Sequence, residues 1–314
     1  MNMKLSVILP IRNEADTIPE LISRLLSVLN HIEIDYEIIF VTDINTDNTL
    51  EILKRYSIAD SKIKIIKLSN SFGQHVAVRA GLDHCESDAA VIMDADLEMF
   101  PEDIPKLYSK LNEGFDIVYG VNKNKNRSFL KDLASKIFNK IMNLLSDENA
   151  ALNTDMFRII SRKVIDEIIK FREQKPSLTY IMGLINLPAV KVELEFGRRS
   201  KGRSNYNFKR QMNMAIDSFL SFSTKPVRFI SLLGFFTSLV SFLYLLIVLI
   251  QKFFDKYTGI GLGTILVLII FFGGLQLFAI GIIGEYIGRI FIQSKNRPLY
   301  IVEELFGDFN KSSY

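Results

Sequence analysis

The chain is organised around residues 89–101, which read Ala-Ala-Val-Ile-Met-Asp-Ala-Asp-Leu-Glu-Met-Phe-Pro. The apolar start is typical of a buried strand, and three acids follow at alternate positions, Asp94, Asp96 and Glu98. Neighbouring carboxylates repel one another unless a cation lies among them, and such oxygen ligands suit Mg²⁺ or Mn²⁺. A solvated acidic turn is the alternative interpretation. The preceding strand favours a ligand site, because open α/β sheets bind ligands at the carboxyl ends of their strands.

Apolar strands alternate with amphipathic helices over residues 1 to about 121. This alternation predicts βαβ units and a Rossmann-like α/β fold with a mostly parallel sheet. No Gly-x-Gly-x-x-Gly follows the first strand and no Gly-Lys-Ser/Thr occurs, so phosphates would be held by a metal and by basic side chains. We expect Asp16 to cap the first helix, and Asp47 or Asn48 to cap the second. The predicted strands are 5–9, 37–41, 63–68, 89–93 and 116–121, and the predicted helices are 17–29, 49–56, 74–84 and 102–111.

Polar residues also follow the first two predicted strands. Residues 10–14 read Pro-Ile-Arg-Asn-Glu, and residues 42–47 read Thr-Asp-Ile-Asn-Thr-Asp. Each motif alone is weak, because Asp and Asn are ordinary turn residues. Because the carboxyl ends of parallel strands meet at one edge of a sheet, these acids and the acidic turn together predict a nucleotide site there.

The composition separates a polar part of the chain from an apolar part. Among 314 residues, 48% are hydrophobic and 23% are charged, and the formal net charge of +3 does not favour nucleic acid as a partner. The apolar residues concentrate after Pro226. The single cysteine, Cys85, excludes an intramolecular disulfide and is expected to be a buried, inert thiol in a reducing compartment.

Two charge-free spans, 229–250 and 260–284, are predicted to cross a membrane as a helical hairpin. At 1.5 Å per residue each can span a hydrocarbon core of roughly 30 Å. Basic residues before and after the hairpin outnumber those in the connection, which predicts that the large domain and both termini are cytoplasmic. Glycines in the second span are spaced for close helix packing or homo-oligomerisation.

A basic stretch precedes the hairpin, because residues 197–206 read Gly-Arg-Arg-Ser-Lys-Gly-Arg-Ser-Asn-Tyr. Arg side chains and glycine-rich backbone can surround a phosphate, so one interpretation is an anion-binding loop. The other is a basic patch attracted to anionic lipid headgroups. Residues 207–223 have the pattern of an amphipathic helix that lies in the membrane interface.

The order of these motifs resembles glycosyltransferase family 2 enzymes of the GT-A fold. The likeness extends to the polyprenyl-phosphate branch, which includes dolichyl-phosphate mannose synthase and undecaprenyl-phosphate glucosyltransferase. The resemblance covers nearly the whole chain. The matching motifs are Pro10-x-x-Asn13-Glu14, Asp43 with Asp47, Asp94-Ala95-Asp96-Leu97, Phe157-Arg158, Arg199-x-x-Gly202-x-Ser204-x-Tyr206, and Ser221-Phe222-Ser223 with Pro226 and Arg228.

The resemblance implies a role for each matched position. Asp94, Asp96 and Glu98 are expected to bind Mg²⁺ or Mn²⁺, and Asp96 and Asp155 to be catalytic. The expected nucleotide-sugar donor site consists of Pro10, Arg12, Asn13, Glu14, Asp43, Asp47, Gly73, Gln74, Asp94, Ala95 and Asp96. The expected site for the acceptor phosphate consists of Arg158, Arg199, Lys201, Arg203, Ser204 and Tyr206.

The chain departs from the family pattern at several of these positions. Glu98 stands where the family usually has Gln, Thr42 precedes Asp43 in place of a second Asp, and Ile44-Asn45 replaces Gly-Ser. Asn70-Ser71 replaces Arg-Asn, which removes one donor-side cation. The family's catalytic Asp directly precedes Phe-Arg, whereas Asp155 lies one residue earlier, and a bulge or turn would have to re-aim it.

The resemblance implies an inverting transfer of a sugar, UDP-linked by expectation, from a nucleotide diphosphate to undecaprenyl phosphate or a related polyprenyl phosphate. The expected location is the cytoplasmic face of the inner (plasma) membrane, as a multi-pass protein. Two alternatives are a membrane-anchored nucleotide-sugar or lipid-binding protein without transfer activity, and a processive polysaccharide synthase. The absence of tryptophan disfavours the synthase, whose acceptor motif requires one. The predicted organisation is a GT-A domain at 1–206, an interfacial helix at 207–225, a transmembrane hairpin at 226–290 and a cytoplasmic tail at 291–314.

Overall fold

The computed structural model describes residues 3–123, 156–173, 178–197, 225–254 and 262–309. The chain forms two compact units. The first comprises Met1–Lys136, Glu148–Ser204 and Arg297–Tyr314, and the second comprises Ile137–Asp147 and Asn205–Asn296. The first unit therefore contains sequence from both sides of the long apolar segment.

The first unit contains an eight-stranded sheet with the order β7-β5-β6-β4-β1-β2-β3-β8. Its parallel pairs are β1–β2, β1–β4, β2–β3 and β5–β7, and its antiparallel pairs are β3–β8, β4–β6 and β5–β6. The prediction of an α/β fold with a mostly parallel sheet is confirmed. The strands are β1 Lys4–Ile11, β2 Asp35–Thr42, β3 Ile63–Leu68, β4 Ala89–Ile92, β5 Ile117–Asn122, β6 Arg158–Ser161, β7 Ala189–Leu194 and β8 Val302–Phe306.

Helices cover both faces of this sheet. Apolar residues of α1 and α4 pack in one core cluster with one face of β1, β2 and β4, and those of α3, α5 and α6 pack in a second cluster with the other face. Strands buried on both faces read as continuous apolar runs, which explains why the central strands were predictable. The helices of this unit are α1 Ile18–His31, α2 Thr49–Ala59, α3 Gln74–Asp83, α4 Ile104–Asn112, α5 Arg162–Lys170 and α6 Leu178–Ile185.

The predicted strands and helices of the first 122 residues are found within a few residues of their expected ends. The first helix begins after Thr17, so the prediction that Asp16 is its N-cap is wrong. Asn48 occupies the N-cap position of α2, but the Oδ1 atom of Asp47 accepts the hydrogen bond from the Thr49 backbone N–H at 3.1 Å. Asp47 therefore satisfies a backbone donor at the start of α2.

The residues predicted to be a cytoplasmic tail contain a strand of the sheet, which corrects that boundary. Val302–Phe306 forms β8 and pairs antiparallel with β3, and Lys67 forms an ion pair with Glu303 at 2.5 Å. The partner strand lies more than two hundred residues earlier in the chain, so no local sequence pattern indicated the pairing. The C-terminal segment is part of the first unit rather than an appendage.

The second unit contains two long helices, α7 Lys225–Phe253 and α8 Leu262–Ser294, which contact each other. Among the described residues, one helical span, Leu268–Ser294, is long and apolar enough to cross a membrane. The predicted span 229–250 lies within α7, and the predicted span 260–284 lies largely within α8. Except for Lys225, the predicted interfacial helix at 207–225 lies outside the described residues.

Candidate active site

The candidate site lies at the carboxyl edge of the parallel strands β1, β2, β3 and β4. Because β6 runs antiparallel to β4, the start of β6 also lies at this edge, and Arg158 is paired with Ile92 at the end of β4. The segments after these four strands and the segment before β6 therefore lie at the same edge of the sheet. The expectation that the polar strand ends share one edge is confirmed by the sheet topology.

Asn13 joins the loop after β1 to the loop after β2. Its backbone N–H donates to Asn45 Oδ1 at 3.0 Å, and its own Oδ1 accepts from the Thr46 backbone N–H at 2.7 Å. The φ angle of Asn13 is +55°, a left-handed conformation that Asn tolerates better than most residues. This reciprocal pair fixes the spacing of the two loops.

Asp47 strengthens the same junction. Its Oδ2 atom accepts from the backbone N–H of Ala15 at 3.2 Å, while Oδ1 accepts from Thr49. The backbone N–H of Glu14 donates to Thr49 Oγ1 at 2.9 Å. Burial alone would raise the pKa of Asp47, but the hydrogen bonds from Thr49 and Ala15 outweigh it and the pKa is lowered. Asp47 therefore serves as an ionised link between loops.

Arg12 reaches across the ends of three strands. Its Nε atom lies 3.6 Å from Asp43 Oδ1, and its Nη1 atom donates to Ser71 Oγ at 3.2 Å. The Arg12 side chain is 55% exposed, whereas that of Asp43 is 13% exposed. Within the part of the chain that the structure describes, Asp43 Oδ1 is buried and accepts no hydrogen bond. A buried acceptor of this kind costs stability unless a ligand donor completes it.

The acidic turn after β4 has a defined hydrogen-bond pattern. Gln74, at the start of α3 after Gly73, donates from Nε2 to Asp94 Oδ1, and the Glu98 backbone N–H donates to Asp96 Oδ1 at 3.1 Å. Ala95 is 3% exposed and anchors the turn to the core. Burial raises the pKa of Asp94 to about 6, with the negative charges of Asp96 and Glu98 acting in the same direction and Gln74 and Arg158 acting against it.

The three acids do not form a preformed metal cluster by themselves. Among the described residues there is no group of three or more His, Cys, Asp or Glu side chains arranged to hold a metal ion. The hydrogen bond that Asp96 Oδ1 accepts from the Glu98 backbone N–H closes a local turn, and the charges of Asp96 and Glu98 both act on Asp94. The assignment of Asp94, Asp96 and Glu98 as ligands of a divalent cation stays a prediction.

Arg158 lies in the interior beneath the site, with 0% exposure. Its Nε donates to the Met156 carbonyl at 3.2 Å, its Nη1 donates to Thr179 Oγ1 at 3.3 Å, and the guanidinium lies 5.5 Å from the centre of the Tyr119 ring. These contacts hold the guanidinium in the interior, and the contact of Arg158 with the acceptor phosphate stays a prediction. Its positive charge favours the ionised form of Asp94.

Several predicted site residues lie outside the described residues, and their roles stay predictions. These are Asp155, Arg199, Lys201, Arg203, Ser204 and Tyr206. Sequence reasoning missed Asn45, Thr49 and Ser71, which hold the loops together through contacts to residues of other strands. Only their position in the segments that follow β2 and β3 could have indicated them.

Comparison with known proteins identifies the family. Residues 6–169 match the family described as Glycosyl transferase family 2. The chain is 35% identical over 314 residues to "Uncharacterized glycosyltransferase YkcC" of Bacillus subtilis, covering 100% of this chain and 97% of that protein. It is 34% identical over 308 residues to "Uncharacterized glycosyltransferase sll0501" of Synechocystis, covering 98% and 97%.

Solved structures share the fold. Mannosyl-3-phosphoglycerate synthase from Rubrobacter xylanophilus has a TM-score of 0.50 at 15% identity, covering 70% of this chain and 73% of that one. Glucosyl-3-phosphoglycerate synthase from Mycobacterium tuberculosis, solved with Mn²⁺, UDP and phosphoglyceric acid, has a TM-score of 0.50 at 19% identity, covering 69% and 76%. The sheet, the clustered strand ends and these matches lead to one conclusion: the chain belongs to glycosyl transferase family 2.

Proposed function

We propose that this glycosyltransferase transfers a sugar, with inversion, from a UDP-linked donor to a polyprenyl phosphate such as undecaprenyl phosphate at the cytoplasmic membrane face. The observation that carries the proposal is the meeting of Arg12, Asp43 and the acidic turn at one sheet edge, in a chain that continues into long apolar helices. A nucleotide diphosphate needs a base acceptor, a cation and a charge-balanced phosphate site, and this edge offers each.

Asp43 and Arg12 are the residues that would recognise the nucleoside. Asp43 carries only acceptors, and its buried Oδ1 atom suits the ring N–H of uracil once Arg12 moves slightly. Arg12 also places a positive charge beside Ser71. The neighbouring residue, Asn70, is neutral where the family pattern has Arg. This arrangement supports a donor-side role for Arg12 that compensates for the neutral residue 70.

We assign the divalent cation to the acidic turn, chiefly to Asp94 and Asp96. Mg²⁺ and Mn²⁺ sites often use one or two carboxylates and complete their coordination with substrate phosphates. The raised pKa of Asp94 reflects burial and unrelieved carboxylate repulsion, which a cation would offset. The glucosyl-3-phosphoglycerate synthase cited above was solved with Mn²⁺. When bound, the cation supplies charge that stabilises the departing nucleotide diphosphate.

The transfer requires little general-base catalysis by the protein. A phosphate monoester with a second pKa near ~6 is already largely dianionic at neutral pH. Its oxygen would form a bond to the anomeric carbon from one side while the bond to the diphosphate breaks on the other, and the electron pair leaves with the diphosphate. We assign acceptor-phosphate binding to Arg199, Lys201, Arg203, Ser204 and Tyr206, and orientation of the acceptor to Asp155.

We further propose that α7 and α8 form a membrane hairpin in the inner membrane, with both termini cytoplasmic. The pairing of β8 with β3 supports this, because the chain before α7 and the chain after α8 belong to the same compact unit. An even number of crossings satisfies that connection, whereas a single crossing by α8 does not. The glycines of α8 would permit homo-oligomerisation through close helix packing.

The decisive experiment incubates the purified full-length protein in detergent with undecaprenyl phosphate, Mn²⁺ and a panel of UDP- and GDP-sugars, and identifies the lipid product by mass spectrometry. We expect one glycosylated undecaprenyl phosphate, and its loss in excess chelator. Asp96→Ala should reduce turnover by at least about a hundredfold, since it removes charge stabilisation worth several kcal/mol. Glu113→Gln, on the exposed end of α4, is the matched control.

Full turnover in chelator would remove the metal from the proposal. Donor binding without any lipid product, over the whole panel, would favour the membrane-anchored binding protein instead.

A further inference from the structure

The segment that follows β7 lies against the acidic turn. The backbone N–H of Gly197 donates to the Glu98 carbonyl at 2.8 Å, and the Glu98 N–H donates in turn to Asp96 Oδ1. Glu98 is therefore held through both its carbonyl and its N–H. Gly197 is the last described residue before the basic stretch that begins at Arg198.

A side chain at residue 197 would crowd the acidic turn. A Cβ atom built on Gly197 would lie 3.1 Å from the Leu97 carbonyl oxygen and 3.1 Å from Phe100 Cζ. Both separations are shorter than ordinary van der Waals contact, so the turn or the ring would have to move by a few tenths of an ångström. The φ angle of Gly197 lies outside the left-handed region, so space, and not backbone conformation, requires glycine here.

Neither neighbour of Gly197 can move freely. Leu97 has a φ angle of +59°, an uncommon conformation for a residue with a side chain, and hydrogen bonds at Asp96 and Glu98 flank it. The Phe100 ring is held on another side by Arg24, whose guanidinium lies 5.2 Å from the ring centre. Arg24 is itself fixed by two hydrogen bonds to Glu102, at 2.8 and 2.7 Å. Added volume at residue 197 would therefore displace the acidic turn.

We propose that Gly197 is a positioning residue for this glycosyltransferase: its backbone and its missing side chain together set the position of the acidic turn that carries Asp94 and Asp96. The inference rests on the proposed donor site at that turn. A displacement of a few tenths of an ångström at a charge-stabilising site is enough to weaken donor binding while the fold persists. This positioning role does not require Gly197 to contact a ligand.

The test compares Gly197→Ala with the wild-type full-length protein in detergent. We expect the KM for the nucleotide-sugar donor to rise about tenfold and the Mn²⁺ concentration for half-maximal activity to rise with it, as expected when a 1 Å misplacement can cost about a hundredfold. We expect the free energy of unfolding to change by under about 1 kcal/mol, which corresponds to a shift of the thermal midpoint of about 2 °C or less. The control is Gly234→Ala in α7, where among the described atoms an added Cβ meets nothing within 4 Å.

A second variant separates positioning from general damage. Phe100→Leu removes the ring atoms that the new Cβ would meet, so Gly197→Ala/Phe100→Leu should recover part of the donor KM relative to Gly197→Ala. An unchanged donor KM and Mn²⁺ requirement in Gly197→Ala would overturn the inference. A loss that follows thermal destabilisation, with no recovery in the double variant, would also overturn it.

A separate measurement, nucleotide binding by the wild-type protein, tests the proposed function. If the wild-type protein binds neither UDP nor GDP in the presence of Mn²⁺, measured by calorimetry, then the donor site itself is absent. If the wild type binds and Gly197→Ala binds equally well, only the positioning role of Gly197 is lost.

Discussion

At the residue scale, the buried acid Glu37 is not part of the candidate site, and it contributes to the stability of the fold. Glu37, 2% exposed in β2, accepts a hydrogen bond from Ser6 Oγ at 2.6 Å and pairs with Lys64 Nζ at 2.8 Å. Lys4 Nζ lies 3.6 Å from the same carboxylate. Burial alone would raise the pKa of Glu37, but the hydrogen bonds and charges of Lys64, Ser6 and Lys4 outweigh it, so the pKa is lowered.

We predict that Glu37→Gln lowers the free energy of unfolding by about 3 kcal/mol at pH 7, because it leaves Lys64 partly buried without its partner. Since the folded pKa lies below the unfolded value of about 4.5, the ionic contribution is complete above that pH and is lost as pH falls through the folded pKa. The difference between wild type and variant should therefore narrow below about pH 4.5. Thermal unfolding followed by circular dichroism from pH 3.5 to 7.5 measures it.

Glu167→Gln is the matched control for this prediction, because its 2.6 Å pair with Lys170 is exposed. Exposed pairs of this kind contribute roughly 0–1 kcal/mol. A difference between Glu37→Gln and wild type that stays constant over the whole pH range would contradict an ionised Glu37.

At the element scale, β8 covers the edge of β3 and is joined to the domain by side chains. Tyr300 donates from its hydroxyl to Asp83 Oδ2 at 2.9 Å, and the Phe309 ring lies edge-on to His84 at 5.9 Å. Asp83 and His84 lie at the end of α3, the helix whose first residue, Gln74, contacts the acidic turn. The C-terminal segment thus stabilises the helix that supports the site.

We predict that deleting residues 297–314 lowers the thermal midpoint by at least about 5 °C and promotes aggregation. The deletion removes a strand's worth of hydrogen bonds and exposes the edge of β3, and unprotected edges pair with other chains. Differential scanning fluorimetry and size-exclusion chromatography in detergent measure the two effects.

The matched truncation ends at Phe309 and removes only residues 310–314. It keeps β8, Tyr300 and Phe309, so its thermal midpoint should equal that of the full chain. Equal midpoints for both truncations would mean that β8 does not stabilise the domain.

At the scale of the whole molecule, the chain leaves the first unit, forms α7 and α8, and returns to the same sheet. This connection carries the proposal of a two-helix hairpin, since β3 and β8 must lie on one side of the membrane to pair. Cys85 makes the topology testable. Burial raises the pKa of its thiol to about 11, so the single native cysteine should react poorly with maleimides.

We predict that, in intact cells, a membrane-impermeant maleimide labels a Thr258→Cys protein and does not label a Ser313→Cys protein. Residue 258 lies in the connection between the two helices, and residue 313 lies after β8. Both should be labelled once the cells are opened, and the unmodified protein, with Cys85 alone, gives the background. Labelling of Ser313→Cys in intact cells would refute the hairpin and the cytoplasmic C-terminus.

The sequence by itself determined the central architecture. The apolar runs of β1 to β5, the amphipathic helices between them and the acids after β4 were all predictable, because burial on two faces and helical periodicity leave a local pattern. From the rule that ligands bind at the carboxyl ends of parallel strands, the sequence alone predicted that Asn13, Asp43 and Asp94 lie at one edge of the sheet.

Only the tertiary structure decided how these residues are used. It made Asp47 a link between loops, buried Arg158 in the interior, placed β8 beside β3 and brought the Gly197 backbone into contact with the acidic turn. Each of these outcomes depends on contacts between segments that are distant in the chain. The local sequence pattern does not predict such contacts, because packing and hydrogen bonding in the folded state determine them.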